Sequence, residues 1–226
     1  MPDVFVTGTD TGIGKTHVTA ALLRGLAAQG VRATGMKPVA SGCVRDATGA
    51  WRSEDALALR EASAQPLPDY ALSNPYALEE PLSPHLAARS AGVDVKLGAL
   101  LAAYDALAAG HERRIVEGVG GWAVPLSERL MQADLVRALR IPVLVVVGVK
   151  LGCINHALLT LRAVHEDGCR IFGWVANSVD PSLARADEAL ATIARIVGLP
   201  CLAHFAHAGD GGYDAAAAAT LARATR

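Results

Sequence analysis

Short apolar runs alternate along the chain with longer stretches in which apolar residues recur at helical spacing. The apolar runs predict buried strands at residues 4–7, 33–39, 114–117, 142–147, 171–176 and 200–205. The periodic stretches predict helices at residues 15–28, 53–61, 94–109, 153–166, 183–197 and 215–223. Between them, residues 65–84 hold five prolines and predict an irregular segment.

This alternation predicts an α/β fold, a doubly wound and mostly parallel sheet with helices on both faces. Residues 142–147 form the clearest strand, an uninterrupted and β-branched run typical of a central strand covered on both sides. Neither a repeat nor a linker is apparent, so we predict a single domain over residues 1–226. Ligands of such sheets bind beyond the carboxyl ends of the strands, where functional residues are expected.

Composition narrows the class of protein. Hydrophobic residues make up 52% of the chain and aromatic residues only 4%, so the core must be mainly aliphatic. A formal net charge of −1 gives no sign of a nucleic-acid surface, which usually needs a marked basic excess. The four cysteines are scattered, no signal-peptide pattern opens the chain, and the longest apolar run is too short to span a bilayer. We therefore expect a cytoplasmic protein with reduced thiols and no membrane partner.

A glycine-rich loop follows the first predicted strand and opens the first helix. It reads TGTDTGIGKT over residues 7–16 and ends in Gly14-Lys15-Thr16, the tail of a phosphate-binding P-loop. Lys15 would meet the β and γ phosphates, the Thr16 hydroxyl can bind Mg²⁺, and the helix start offers free N–H donors. The strict motif has glycine where this chain has Thr9, so the loop is a variant. We predict a P-loop NTPase-like fold; a glycine-rich turn that binds nothing is the alternative.

A lysine closes the second predicted strand. Lys37 lies within an apolar stretch, and burying an ammonium is costly unless an anion accompanies it. The alternative is an edge lysine whose head reaches water. With a phosphate loop nearby, we predict that Lys37 binds an anion too, and that Ser41 and Gly42 offer further donors from the loop that follows.

Of two acidic residues near predicted element ends, Glu117 is a candidate metal ligand. Glu117 ends a strand and precedes the small-residue loop at 118–121, which suits a carboxylate that holds Mg²⁺ directly or through water. Asp55 lies near the start of a predicted helix, where favourable interaction with the helix dipole is the commoner explanation.

Polar residues also follow the later strands. Residues 149–156 come directly after the central strand, and the start of the next helix can bind a carboxylate. For Asn155, simple helix capping is the alternative. Asn177 closes the following strand, where a side-chain amide suits the edge of a nucleobase.

Taken together, these segments resemble the dethiobiotin synthetase family. The matching segments follow the family order and cover most of the chain: residues 6–11 with 14–16, 37–42, 55–57, 74–76, 81 with 83–85, 117–118 with 120–122, 147–156 and 173–177. The TGTDT loop start combined with KPVASG at residues 37–42 is specific to this family rather than to P-loop proteins in general.

The resemblance implies ATP-dependent carboxylation and ring closure of 7,8-diaminopelargonate with CO₂, giving dethiobiotin, ADP and phosphate in biotin biosynthesis. A carbamate on one amine attacks the γ phosphate, and the second amine closes the ring on the resulting carbamic–phosphoric anhydride. Mg²⁺ is the implied cofactor. The implied assembly is a homodimer with the active site at its interface, where residues 152–155 of one subunit bind the substrate carboxylate in the other's site.

The resemblance also implies roles for individual residues. The implied catalytic residues are Lys37, Lys15 and Ser41, of which Ser41 would bond the carbamate. Those implied to contact the nucleotide and its metal are Gly12, Ile13, Gly14, Lys15, Thr16, His17, Asp55, Glu117, Gly118, Gly120, Asn177 and Asp210. Those implied to contact the substrate are Thr11, Lys37, Ser41, Lys150, Gly152, Cys153, Ile154 and Asn155. The implied metal ligands are Thr16, Asp55 and Glu117.

The chain departs from the family at Gly12, where some relatives carry an acid, and near residues 205–207, where many have an Ile-Pro-aromatic stretch. Three other functions are alternatives. A switch ATPase of the chromosome-partitioning type usually carries an extra lysine early in the loop, where this chain has Thr9 and Asp10. An amide-forming synthetase of the cobyrinate type usually adds a glutamine-hydrolysing domain, for which 226 residues leave no room. The third is a non-catalytic nucleotide-binding module.

Overall fold

The computed structural model describes residues 3–207 and 214–224. In chain order the elements are β1 (Val4–Gly8), α1 (Lys15–Ala27), β2 (Ala33–Met36), β3 (Val39–Ala40), β4 (Val44–Arg45), β5 (Trp51–Arg52), α2 (Glu54–Ala62), α3 (Tyr70–Ser73), β6 (Tyr76–Ala77), α4 (Pro84–Ser90), α5 (Leu97–Ala106), β7 (Arg113–Glu117), α6 (Gln132–Leu139), β8 (Val143–Val149), α7 (Cys153–Glu166), β9 (Ile171–Ser178), α8 (Ala186–Val197), β10 (Cys201–Phe205) and α9 (Ala215–Ala224).

Six strands form one sheet in the order β10-β9-β8-β1-β7-β2, and every neighbouring pair in it is parallel. The predicted doubly wound fold is therefore confirmed. β1 lies inside the sheet, with Val6 opposite Glu117 of β7 on one side and Gly8 opposite Val146 of β8 on the other. This register brings the ends of β1, β7 and β8 to one edge, where ligands of such sheets bind.

Helices cover both faces, and successive strand residues supply the two cores in turn. On one face, Val4 and Val6 pack with the buried sides of α1, α2 and α9. On the other, Phe5 packs with α5, α6, α7 and α8. The alternation follows from the two-residue repeat of a strand, and it explains why β8 is buried along its whole length.

Four local features differ from the predictions. The predicted strand at 33–39 ends at Met36, because Pro38 has no N–H and the Lys37 N–H turns away to donate to Ser73 O at 2.7 Å. Chain that we predicted to be irregular contains α3 and β6, and leads into α4. The helix α6 was missed. The antiparallel pair β4–β5 was missed as well.

Within the described ranges, no helix combines the length and apolar character required to cross a bilayer. All four cysteines are free thiols.

Candidate functional site

The phosphate loop connects β1 to α1 and depends on glycine at close contacts. Gly14 has a φ of 85°, and a Cβ there would lie 2.2 Å from Asn177 Nδ2. A Cβ at Gly8 would lie 2.8 Å from Ile13 Cδ1. The positive φ at Gly14 favours glycine, and a side chain at either position would displace these neighbours. Lys15 folds back over the loop, and its Nζ donates to Asp10 O at 2.9 Å.

A charged centre lies beside this loop and consists of Thr16, Lys37, Asp55 and Glu117. Lys37 is 2% exposed, and Glu117 is fully buried. The Lys37 Nζ lies 2.6 Å from Glu117 Oε1 and 2.8 Å from Asp55 Oδ2, and it also donates to Gly118 O at 3.0 Å. Lys37 is therefore a buried lysine with anionic partners, and its head does not reach water as the alternative required.

The oxygen atoms of the charged centre fit a bound cation. Thr16 Oγ1 lies 2.8 Å from Asp55 Oδ1 and also 2.8 Å from Glu117 Oε1. One hydroxyl hydrogen can serve only one of these contacts. The buried Glu117 Oε2 has no hydrogen-bond partner among the described residues. Mg²⁺ prefers oxygen ligands, and an orphaned carboxylate oxygen beside two further oxygens provides them.

No group of three or more His, Cys, Asp or Glu side chains that could hold a metal occurs in the described part of the chain. Any metal at the charged centre would therefore rely on two carboxylates and the Thr16 hydroxyl.

The two lysines respond to burial in opposite ways. Burial, together with the nearby Lys37 ammonium, lowers the pKa of Lys15 to about 8. For Lys37, burial also disfavours the charged form, but the carboxylates of Glu117 and Asp55 outweigh it and raise the pKa above its ordinary value. The same ion pair outweighs the effect of burial at Asp55 and lowers its pKa. The carboxylate partners of Lys37 thus favour its charged form, whereas burial weakens the charged form of Lys15.

A groove of about 500 Å³ opens on one side of the charged centre. The residues that line it are Thr11, Ser41, Pro81, Leu82, Ser83, Pro84, Val119, Gly120, Gly121 and Val124. Its few hydroxyl groups are set among apolar side chains, which suits a ligand with an aliphatic chain and a polar end. Thr11 and Ser41, both predicted substrate residues, lie in this groove.

A second groove of about 290 Å³ lies on the other side of the phosphate loop, between the ends of β9 and β10. Gly12, Gly14, His17 and Asn177 line it together with His207. Asn177 Nδ2 donates to Ile13 O at 2.8 Å, so the amino group of this side-chain amide stabilises the phosphate loop. The His17 ring meets Phe205 edge-on, with ring centres 5.7 Å apart. Asp210, the predicted ribose contact, lies outside the described residues.

The predicted carboxylate-binding segment follows β8. Gly152, with a φ of 93°, is the N-cap of α7, so capping is not the role of Asn155, which is exposed in the first turn. Cys153 is buried and Ile154 half-buried. Lys150 Nζ lies 3.2 Å from Asp10 Oδ2, which joins this segment to the phosphate loop of the same chain. Leu151 is 87% exposed.

Gln132, which was not among the predicted site residues, contacts the loop between Glu117 and the substrate-side groove. Its side chain is buried and bonds the backbone at Val119 and Gly121. A lone glutamine at the first position of a helix has no spacing signal in the sequence, so only the folded loop reveals it.

Comparison with known proteins identifies the family. The family model described as the AAA domain matches residues 3–209. The ATP-dependent dethiobiotin synthetase BioD of Xanthomonas campestris is 55% identical over 201 residues, 89% of this chain and 89% of that protein. The protein of the same name from Xylella fastidiosa is 52% identical over 217 residues, 96% of this chain and 95% of its own.

Solved structures with the same fold are more distant in sequence. The MinD cell division protein of Aquifex aeolicus aligns with 99% of this chain and 96% of its own, with a TM-score of 0.59 at 14% identity. A ParA family ATPase from Chlorobium tepidum covers 100% of this chain and 94% of its own, with a TM-score of 0.57 at 13% identity. These two matches show a shared P-loop fold alone. Given its identity to the synthetases over nearly its whole length, the chain belongs to the family of ATP-dependent dethiobiotin synthetases.

Proposed function

We propose that this enzyme carboxylates 7,8-diaminopelargonate with CO₂ and closes the product to dethiobiotin, at the cost of one ATP. The observation that carries the proposal is the buried Lys37, which lies 2.6 Å from Glu117 and 2.8 Å from Asp55 beside the phosphate loop. A lysine fixed between a phosphate loop and an amine-binding groove is what the reaction needs, because it must bring two anions together.

The two lysines would stabilise different negative charges. Substrate carbamate and ATP triphosphate repel each other, and positive charge between them lowers that repulsion as the phosphoryl group transfers. We assign Lys15 to the β and γ phosphates. Lys37, whose charge the carboxylates already secure, would face the carbamate and the transferring phosphoryl group.

We propose Thr16, Asp55 and Glu117 as the residues that hold Mg²⁺. When bound, the ion supplies charge neutralisation on the phosphate oxygens. The orphaned Glu117 Oε2 and the shared Thr16 hydroxyl support this assignment. Lys37 would orient the Glu117 carboxylate through Oε1.

The groove beside the charged centre would hold the diamine. Its apolar wall suits an aliphatic chain, Ser41 would bond the carbamate, and Thr11 would position the amines. Holding the second amine against the activated carbonyl makes ring closure effectively unimolecular. Nucleotide contacts would come from Gly12, Ile13, Gly14, His17, Gly118, Gly120 and Asn177.

We further propose a homodimer in which residues 150–155 of one subunit bind the carboxylate end of the diamine in the other's site. The free N–H groups at the start of α7 suit an anion. Leu151, 87% exposed beside that helix start, is an unusual surface leucine that a twofold partner would cover. Sedimentation would test the assembly, because a monomer at micromolar concentration contradicts it.

One incubation tests the proposed function. Purified protein is mixed with ATP, Mg²⁺, bicarbonate and 7,8-diaminopelargonate, and dethiobiotin is measured by mass spectrometry. We expect dethiobiotin only in the complete mixture. Its absence at substrate and nucleotide saturation would refute the proposal.

The same assay separates the alternative of a partitioning-type switch ATPase, which shares the fold. A switch releases phosphate slowly without diamine, whereas a synthetase releases phosphate only when both diamine and bicarbonate are present. Thr9 and Asp10 at the start of the loop, where such switches usually carry a lysine, favour the synthetase.

A further inference from the structure

We infer that Gln132 is a positioning residue that joins the phosphate loop to the floor of the diamine groove and so couples ATP use to ring closure. The inference rests on the proposed function. Gln132 is the first residue of α6 and is 1% exposed. A buried amide is costly unless its polar atoms are bonded, so its partners reveal what it holds in place.

The partners of Gln132 lie on the loop that follows Glu117. Its Oε1 accepts from Val119 N–H at 2.9 Å, and its Nε2 donates to Gly121 O at 2.8 Å and to Trp122 O at 3.5 Å. Gly121 O also accepts from Thr7 Oγ1 at 3.2 Å, and Thr7 is fully buried in β1 just before the phosphate loop. One carbonyl therefore links α6, the groove floor and the phosphate-loop strand.

The groove floor also lies close to the phosphate loop, and a side chain on it would contact that loop. A Cβ at Gly121 would lie 3.6 Å from Gly8 O, and one at Gly120 would lie 3.7 Å from Thr11 Oγ1. At Gly118 a Cβ would lie 2.6 Å from Gln132 Oε1, so a side chain there would displace the Gln132 amide. Because Lys37 donates to Gly118 O, a shift of this loop would displace both the groove floor and a partner of Lys37.

Such a shift would be harmful because the anhydride must react with the second amine before it reacts with water. In ring closure the second amine forms a C–N bond to the anhydride carbonyl, the C–O bond to phosphate breaks, and the amine proton leaves to solvent. If the floor is displaced, water can cleave the anhydride first. That side reaction returns phosphate and the carbamate, so ATP is consumed without dethiobiotin.

The test compares Gln132→Met, which keeps the side-chain size and removes the side-chain hydrogen bonds to this loop, with Val136→Ala. Val136 is buried in the same helix and lines the surface near Arg140 and Gly168, away from the loop. For Gln132→Met we expect the diamine KM to rise about 10-fold, the scale of one lost buried hydrogen bond, with ATP Kd unchanged in the absence of diamine. We also expect clearly more than one phosphate released per dethiobiotin. Val136→Ala should lower Tm but leave the KM and the ratio unchanged.

Three results would overturn the inference. A Gln132→Met enzyme with wild-type KM and one phosphate per dethiobiotin overturns the inference, and so does a Val136→Ala enzyme with the same uncoupling. Should Gln132→Met not fold, Thr7→Val removes the other bond to Gly121 O, and a ratio of one in that variant overturns the inference as well. A wild-type protein that forms no dethiobiotin contradicts the proposed function itself, whatever the variants do.

Discussion

The phosphate end and the nucleoside end of the proposed nucleotide site are built in opposite ways. At the phosphate end, Lys37 and Glu117 are buried and joined at 2.6 Å. At the nucleoside end, Gly12 and Gly14 line an open groove with the Asn177 amide and the imidazoles of His17 and His207. The phosphate end would bind its part of the nucleotide mainly through charged groups, whereas the nucleoside end would bind mainly through the shape of its groove.

This contrast predicts how the charged centre and the nucleoside groove respond to substitution. A buried charge is stable only with its partners, so the charged centre has one arrangement and loses it when any member is removed. Among the described residues, those that line the nucleoside groove form no buried ion pair, so substitution of its side chains should have smaller effects, whereas a side chain at Gly14 would collide with Asn177. Four substitutions test this contrast, in order of expected effect.

Replacing Lys37 with Gln should have the largest effect. Removing the charge should cut dethiobiotin formation about 100-fold or more, the scale of a lost charge stabiliser. Because Glu117 then loses its ion-pair partner, the free energy of unfolding should fall by about 3 kcal/mol while the fold persists. Initial rates and urea unfolding measure the two effects. Lys96→Gln, on an exposed lysine, is the control, and wild-type turnover in Lys37→Gln would contradict the assigned role.

Replacing Lys15 with Ala tests the phosphate loop. Since Lys15 is the second cation, we expect ATP affinity in calorimetry to fall about 30-fold, the scale of a lost charge-assisted phosphate contact. Circular dichroism checks that α1 is retained. An affinity equal to wild type would show that the loop holds phosphate without this side chain.

Replacing Glu117 with Gln keeps the shape of the side chain and removes its charge. If Glu117 holds Mg²⁺, the Mg²⁺ concentration for half-maximal rate should rise about 10-fold or more, because one oxygen ligand becomes an amide. The assay is a Mg²⁺ titration at saturating ATP. A slower enzyme with the same Mg²⁺ dependence would assign Glu117 to orienting Lys37 alone.

Replacing Asn177 with Leu should have the smallest effect. It removes the bond to Ile13 O, and we expect a fall of about 5-fold in affinity for ATP, the value of one ordinary hydrogen bond. Because that bond holds the phosphate loop, affinity for tripolyphosphate should fall equally. If the affinity for ATP falls and the affinity for tripolyphosphate does not, the Asn177 amide instead contacts the nucleobase.

The repeating parts of the fold could be predicted from the sequence. Residues 142–147 were predicted as a strand because an uninterrupted β-branched run occurs in few other structures, and the helix predicted at residues 53–61 is α2, capped by Ser53. The missed helix α6 begins without a Ser, Thr, Asp or Asn before it, since its N-cap is Met131. Pro38 ended β2 early because a proline adds no donor to a ladder.

The residues of the candidate site fall into two groups as well: those that a local sequence pattern predicts and those that it does not. Lys37, Thr16 and Glu117 were predicted because each is a charged or hydroxyl residue at the end of a strand or loop, and the structure brings them together. The bond from Asn177 to Ile13 and the role of Gln132 depend on contacts between residues far apart in the chain. No local pattern encodes such contacts.

The register of β7 limits how this enzyme can evolve. Glu117 is opposite Val6 and is the last residue of its strand. Side chains alternate between faces along a strand, so one inserted or deleted residue in β7 would turn the carboxylate toward the opposite face of the sheet. Substitutions at Ile115 or Val116 can be absorbed by repacking, whereas length changes cannot. Descendants of this gene should therefore vary in the composition of β7 but not in its number of residues.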